Sequence, residues 1–201
     1  PKGGEYGLEL PDGTQVWLNS ETTLRFNPRF GIDNREIFLE GEAYFNVSRN
    51  ESLPFTVHTD LILLTVLGTQ FNISAYKEDV YIRTTLVEGS LKIVRKDTDI
   101  ILTPREQYTI NRENGEYSLR EVATGLYTSW RDGIYHFSGF SLREIVEKLE
   151  RWYDFTMTYE SDDIKEMRFT GGANKHRPLT ETLKFLEMTE SIRFEISGKT
   201  I

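Results

Sequence analysis

A repeat in the last third of the chain restricts the possible folds more than any other feature. Two segments of similar character follow each other at a constant offset of 37 residues. The offset relates Leu142 to Leu179, Glu144 to Glu181, Leu149 to Leu186, Phe155 to Ile192, Met157 to Phe194 and Tyr159 to Ile196. An offset that holds through a helix and the strand after it indicates a duplicated structural unit. We therefore predict two β-α-β units that form one small α+β domain over residues 134–201.

The first of these units carries a strong helix signal. Residues 141–153 place apolar side chains on one helical face and charged side chains on the other. Ser141 and Glu144 have the spacing of a capping box, in which each side chain bonds the backbone N–H of the other residue. A second helix is expected from Pro178, whose missing N–H costs nothing in a first turn, to about residue 189. The flanking strands are predicted at 134–138, 155–160, 168–171 and 192–196.

Residues 1–120 carry strand signals and no apolar stripe at helical spacing. The run Leu61–Leu67 is apolar except for Thr65, and it is far shorter than the roughly 18 residues of a membrane span. A short apolar run before a glycine is typical of a strand that is buried on both faces. Gln70–Ala75 then alternates polar with apolar residues, as a strand with one wet face does.

Short strands at this density predict a mainly β domain, built as an irregular β-solenoid or as sandwich-like layers. Glycines precede alternating segments at Gly13, Gly41, Gly68 and Gly89. They mark either separate turns or an irregular repeat, and a repeat would favour stacked layers. We therefore expect an all-β domain at 1–120, a linker at 121–133, and the small α+β domain at 134–201.

Charge and composition exclude several classes of function. A net charge of −8 argues against a nucleic-acid partner, because such a partner needs a basic face that displaces counterions. The absence of cysteine removes disulfides, thiol nucleophiles and cysteine-ligated metals. No targeting or transmembrane segment is visible. Since the chain starts at Pro1, we expect it to be a fragment or a processed product.

Residues that could support catalysis or cofactor binding do not form a convincing constellation. His58, His136 and His176 share no metal-ligand or triad spacing, so no metal and no cofactor is expected. Glu42 and Glu88 could act as the paired carboxylates of a hydrolase, but solvated or turn-bonding acids are the better interpretation. We therefore expect a binding protein and not an enzyme. A carbohydrate-binding β module that uses Trp17 and exposed tyrosines is the alternative.

Several motifs together resemble the FecR family of anti-sigma factors and sigma regulators. They are Asp12-Gly13-Thr14, Trp17-Leu18-Asn19-Ser20, Leu39 to Val47 (LEGEAYFNV), Pro54-Phe55-Thr56-Val57, Val66 to Ile73 (VLGTQFNI) and Val87 to Leu91 (VEGSL). Arg105-Glu106 departs from the family pattern, since it replaces the glycine of a P-G-Q turn. Trp130 to Phe137 and Leu149 to Tyr153 resemble the C-terminal domain of Bacteroidetes members. That domain is similar to the short signalling domain of secretins and TonB-dependent receptors.

The resemblance implies a function that composition does not show. The whole protein would have a cytoplasmic anti-sigma domain and one inner-membrane helix, and this chain would be its soluble periplasmic region. Its partners would be the signalling domain of an outer-membrane TonB-dependent transporter and, through the cytoplasmic domain, an extracytoplasmic-function sigma factor. The nutrient that starts the signal would be a glycan or an iron chelate.

The small domain is the expected contact region for the transporter. An open sheet of few strands has edges, and an edge accepts a strand from a partner. Two segments are candidates for this edge. They are Tyr135, His136 and Phe137 in the first unit, and Arg193, Phe194, Glu195 and Ile196 in the second.

Overall fold

The protein is described by a computed structural model that covers residues 1–95, 98–189 and 192–201. It contains two compact units. One unit is Glu5–Thr124, and the other combines Pro1–Gly4 with Gly125–Ile201. The segment 121–133, which the sequence suggests as a linker, holds the last residue of a strand, a short helix and a 3-10 turn.

The unit Glu5–Thr124 consists of strands, as the sequence predicts. In the described part of this unit the strands are β1 (Tyr6–Glu9), β2 (Gln15–Leu18), β3 (Thr23–Phe26), β4 (Arg35–Asn46), β5 (Phe55–His58), β6 (Leu63–Val66), β7 (Gln70–Ala75), β8 (Tyr81–Glu88), β9 (Leu91–Arg95), β10 (Thr98–Leu102), β11 (Glu106–Asn111) and β12 (Tyr117–Glu121). They form a large curled sheet in the order β10-β9-β6-β5-β4-β7-β8-β11-β12, and β1, β2 and β3 join it through β4.

Strand β4 organises this sheet because it is long enough to have different neighbours along its length. Its first half pairs with β3 and, in parallel, with β5. Its second half pairs antiparallel with β2 and β7. Gly41 lies where the neighbours change, with φ at 119°, and a Cβ there would lie 2.6 Å from the Thr22 Cα. Only glycine therefore fits this crossover.

Both central segments form strands in the core, but their predicted exposure is wrong. β6 has one buried and one half-buried face, and Leu61 and Leu67 beside it are 38% and 43% exposed. β7 buries Asn72 and Ser74 on the face predicted to be wet. Leu64 and Val66 of β6 are buried, as are Phe71 and Ile73 of β7. The Phe71 ring stacks on Phe45 of β4 with centroids 5.0 Å apart. Such pairs of rings bury large apolar areas and fix the spacing of the layers.

The second unit contains two helices of equal length at the predicted offset. In the described residues its elements are α1 (Gly125–Thr128), a 3-10 turn (Ser129–Asp132), β13 (Ile134–Ser141), α2 (Leu142–Trp152), α3 (Asp162–Lys165), β14 (Arg168–Asn174) and α4 (Leu179–Thr189). Strands β13 and β14 pair antiparallel. Both α2 and α4 have 11 residues. Ser141 and Glu144 form the capping box that their spacing predicts. None of the helices in the described ranges is long and apolar enough to cross a membrane.

The strands predicted at 155–160 and 192–196 do not join a sheet. Both segments are outside the strands, and 155–160 contributes only an isolated bridge between Thr156 and Thr200. The prediction of regular strands here is wrong because the backbone bonds of these segments go elsewhere. Thr156 and Thr158 bond Lys199 and Ile201, and the Phe194 N–H donates to the Glu187 side chain.

Candidate functional site

A groove of about 590 Å³ lies in the second unit. Its walls are parts of the two segments that the repeat relates, 157–160 and 192–195. Most of its lining is apolar and comes from Leu142, Met157, Ile164, Met167, Ile192, Phe194 and Ile201. A slot with apolar side chains between two extended segments is suited to binding a strand of a polypeptide.

Ser197, Thr200 and Ile201 also line the groove. Ser197 and Thr200 exchange two backbone hydrogen bonds, at 2.9 and 3.0 Å, around a tight turn in which Gly198 has a φ of 63°. The Thr156 N–H donates to the Lys199 carbonyl at 2.8 Å, and the Ile201 N–H donates to the Thr156 carbonyl at 3.0 Å. Residues 199–201 therefore run parallel to the first wall where the groove begins.

Each wall is attached to the helix before it by one carboxylate. The Met157 N–H donates to Glu150 of α2 at 2.8 Å. The Phe194 N–H donates to Glu187 of α4 at 2.9 Å. The two donors, Met157 and Phe194, are 37 residues apart, and so are the two acceptors, Glu150 and Glu187. The repeat in the sequence therefore corresponds to a repeated hydrogen bond. These bonds fix two walls that no sheet holds in place.

The bond from the Phe194 N–H to Glu187 also bears on which backbone groups face the groove. In an extended segment the N–H and C=O groups of successive residues point to opposite sides. Ser197 bonds Thr200, which lines the groove, so we expect the backbone groups of Glu195 and Arg193 to point to the same side. Within the described ranges, the N–H groups of Arg193 and Glu195 donate to no backbone carbonyl. An exposed pair of donors on an extended segment is a site at which another strand can add.

Tyr159 contributes a polar group to the groove lining. Burial raises the pKa of Tyr159 to about 12, and the negative charges of Glu150 and Glu147 add to this effect, while Arg143 opposes it. The Lys165 ammonium lies 5.2 Å from the centre of the Tyr159 ring. The phenol is therefore protonated at neutral pH and keeps its hydroxyl as a hydrogen-bond donor.

The structure separates the two groups of predicted contact residues. Arg193, Phe194 and Glu195 line the groove, and Ile196 follows them with 54% of its surface exposed. Tyr135, His136 and Phe137 belong to β13 and do not line the groove. They pair in register with Ala173, Gly172 and Gly171 of β14. A binding role for either group stays a prediction.

Of the two candidate segments, Tyr135–Phe137 presents fewer side chains to solvent than Arg193–Ile196. Tyr135 and Phe137 are buried, so only His136 of the three presents its side chain to solvent. At the start of the strand, the Ser129 hydroxyl of the 3-10 turn donates to the Ile134 carbonyl at 2.8 Å. One edge of β13 is used by β14, and its first carbonyl already accepts this bond.

Sequence reasoning missed several groove residues, although a signal for them existed. The repeat relates Met157 to Phe194 and Tyr159 to Ile196. Phe194 and Ile196 are among the predicted contact residues, whereas Met157 and Tyr159 are not. The same repeat could have indicated that Met157 and Tyr159 form the opposite wall. Ile201 carried no such signal, because its position in the groove depends on the turn at 197–200.

The tryptophans that could support a sugar are engaged in packing. Lys175 is 4% exposed, and its ammonium donates to the Trp130 carbonyl at 2.6 Å and lies 4.6 Å from the centre of the Trp152 ring. The Trp152 indole N–H donates back to the Lys175 carbonyl at 2.7 Å. Trp17 packs edge-on against Tyr44 with ring centroids 5.7 Å apart. These contacts explain the three tryptophans as structural residues.

The acids considered for hydrolysis lie in different environments. Glu42 is 4% exposed and accepts hydrogen bonds from the side-chain amides of Asn19 at 2.8 Å and Asn72 at 3.0 Å. Glu88 is exposed and accepts one bond from Gln70 at 2.8 Å. Both Glu42 bonds connect neighbouring segments to β4. We therefore interpret Glu42 as a residue that stabilises the fold. In the part of the chain that the structure describes, no group of three or more His, Cys, Asp or Glu residues is placed to hold a metal ion.

Comparisons with known proteins agree for both units. Residues 1–92 match the family profile described as FecR protein, and residues 134–201 match the profile described as FecR, C-terminal. Two crystal structures of a protein assigned as an anti-sigma factor from Parabacteroides distasonis ATCC 8503, at 1.65 and 2.50 Å resolution, superpose on the chain. Each has a TM-score of 0.92 and 29% identity, and each alignment covers 99% of this chain and 93% of that chain. No curated protein matches the sequence significantly.

Proposed function

Because this chain belongs to the FecR family of anti-sigma regulators, we propose that it is the sensor region of an anti-sigma factor that controls an extracytoplasmic-function sigma factor. Regulators of this family are anchored in the inner membrane, and the region proposed here works in the periplasm. The sigma factor is contacted by a cytoplasmic domain of the same protein. The role of the present chain is to receive a signal and not to bind the sigma factor itself.

The signal comes from the periplasmic signalling domain of an outer-membrane TonB-dependent transporter. When the transporter binds its nutrient, a glycan or an iron chelate, it presents this domain to residues 134–201. The acidic character of the chain, with a net charge of −8, favours a partner surface with basic residues.

The groove between 157–160 and 192–195 is the single observation that carries this proposal. It combines an apolar lining with the backbone N–H groups of Arg193 and Glu195, which donate to no backbone carbonyl in the described residues. A strand from the transporter domain would bond these donors and place alternate side chains into the groove, as in other complexes formed by strand addition. Tyr135, His136 and Phe137 are the second candidate edge, but the side chains of Tyr135 and Phe137 are buried.

A pair of variants at Glu195 tests the proposal. Glu195→Pro removes the groove-facing N–H, whereas Glu195→Ala removes the side chain and keeps the N–H. Glu195 is exposed and its N–H has no backbone partner in the described residues, so neither change breaks an internal backbone bond. Phe194→Pro is a poorer choice, because the Phe194 N–H points away from the groove and its loss also breaks the bond to Glu187.

Calorimetric titration with the purified transporter signalling domain gives the readout. We expect Glu195→Ala to bind like the parent chain and Glu195→Pro to bind at least about tenfold more weakly, since one hydrogen bond is lost and the strand geometry is disturbed. Thermal unfolding shows whether Glu195→Pro remains folded. Equal affinity of the folded proline variant and the parent chain would rule out pairing at this wall.

A further inference from the structure

A second concave site lies on the unit Glu5–Thr124, in a cleft of about 230 Å³. Strands β3, β4, β5 and β7 contribute to it, and the buried side chains of Leu39 and Ala75 are part of its lining. Pockets for drug-sized molecules measure about 300–1,000 Å³, so this cleft has room for one small ring. None of the residues discussed above as strand-binding groups belongs to it.

An exposed aromatic ring forms one side of the cleft. Phe38 is 54% exposed, although it lies in the middle of β4. Its ring stacks on the His58 imidazole with centroids 4.6 Å apart and planes 21° from parallel. The imidazole holds the ring in a fixed orientation. An aromatic face carries partial negative charge and attracts the C–H groups on the apolar face of a sugar ring.

The guanidinium group of Arg25 lies beside this ring. Arg25 of β3 is directly opposite Phe38 in the strand register. Within the described ranges the Arg25 side chain makes no hydrogen bond or ion pair, although it is exposed in an otherwise acidic chain. The planar fork of an arginine binds a carboxylate through two parallel hydrogen bonds.

The other charged groups of the cleft are compensated. The Lys77 ammonium is 2.5 Å from a carboxylate oxygen of Glu40. Asp60 is paired with Arg112. The charges within each pair cancel, but the paired groups can still exchange hydrogen bonds with hydroxyl groups. The charge of Arg25 is not cancelled in this way, so it can attract an anionic substituent of a ligand. A planar aromatic acid would leave most of these polar groups unused, whereas a ring with several hydroxyls would bond them.

We propose that this cleft binds one pyranose ring that bears a carboxylate, a sugar of the uronic acid class. The ring lies against Phe38, its carboxylate bonds Arg25, and its hydroxyls bond Glu40 and Lys77. The site gives the β unit a ligand of its own. It is independent of the groove in the second unit, so that either site can fail its test without affecting the other.

Nuclear magnetic resonance titration of the full chain with glucuronate, glucose and acetate tests the proposal. We expect glucuronate to shift the amide signals of Arg25, Phe38 and Lys77, with a dissociation constant in the millimolar range that is usual for so few atoms. Glucose should bind about tenfold more weakly, because it lacks the charge-assisted bonds to Arg25. Acetate should bind more weakly than glucuronate, because it lacks the ring.

Variants locate the binding. Arg25→Gln should reduce glucuronate affinity to that of glucose, and Phe38→Ala should weaken both sugars. Arg49→Gln is the matched control, since Arg49 is exposed and lies outside the cleft. Unchanged glucuronate affinity in Arg25→Gln, equal affinity for acetate and glucuronate, or no shift at these three amides would each overturn the proposal.

Discussion

The change Glu42→Gln tests whether the acid of the G-E-A-Y-F motif is a structural residue. The Glu42 carboxylate is buried, and it joins β4 to Asn19 after β2 and to Asn72 in β7. Glutamine has the same shape but one acceptor and one donor in place of two acceptors. The side-chain NH2 group of either Asn19 or Asn72 must then face the NH2 group of the glutamine, which cannot accept its hydrogen bond.

The size of the effect follows from these two bonds. A hydrogen bond to a charged group contributes about 1.5–3 kcal/mol, and a neutral one about 1 kcal/mol. Glu42→Gln loses one charged bond and weakens the other. Removing a buried charge also removes its desolvation penalty, which recovers part of the lost stability. We therefore expect the free energy of unfolding to fall by about 2–3 kcal/mol. In a unit of this size that lowers the unfolding midpoint by about 10 °C.

Thermal unfolding followed by far-ultraviolet circular dichroism measures this shift. Glu88→Gln is the matched control, because Glu88 is exposed and accepts one bond, from Gln70. We expect the control to change stability by less than about 0.5 kcal/mol. The structural interpretation of Glu42 is refuted if the two variants unfold at the same temperature. It is also refuted if a hydrolytic activity of the chain disappears in Glu42→Gln while its stability is unchanged.

Three further predictions follow from other contacts. Arg35→Met leaves the carboxylate of Asp12 buried without the guanidinium that lies 3.1 Å from it, so chemical denaturation should show a loss of about 3 kcal/mol, partly recovered by adding Asp12→Asn. Ser141→Ala removes the cap of α2 and should cost about 1 kcal/mol in thermal unfolding, whereas Ser141→Asp, which can still cap, should cost less. Since the folded pKa of Tyr159 is raised from 10.0 to about 12, its contribution to stability is complete below pH 10 and is lost as the pH rises toward 12. Unfolding midpoints measured across this range should therefore fall less in Tyr159→Phe than in the parent chain, and equal slopes would contradict the assignment.

Local patterns in the sequence predicted the elements well. The alternation at Gln70–Ala75 predicted β7, and the spacing of Ser141 and Glu144 predicted the capping box that begins α2. These features depend on residues within one or two turns of each other, where backbone geometry alone determines which side chains meet. The repeat also predicted two helices of equal length, because it reports a duplicated unit and not a single contact.

The family was also accessible from the sequence, since its motifs are contiguous. The resemblance rested on LEGEAYFNV and VLGTQFNI, and the profile matches at 1–92 and 134–201 confirm it. The role of Glu42 within the first motif was not accessible in this way. Its two partners are 23 and 30 residues away in the chain, and only the pairing of β4 with its neighbours brings them together.

The sequence by itself determined the class of each unit, the limits of the helices α2 and α4, and the family. It did not indicate the short helices α1 and α3. The tertiary structure alone decided that parts of 155–160 and 192–196 line a groove and that neither segment forms a strand. Apolar alternation shows that a segment is extended, but not which backbone lies beside it, because every N–H group can bond any nearby carbonyl. Which groups of Arg193 and Glu195 face the groove depends on a turn at Ser197–Thr200 and on the bond from Phe194 to Glu187. The backbone bonds between Thr156 and residues Lys199 and Ile201 join segments that are far apart in the chain, so no local pattern relates them.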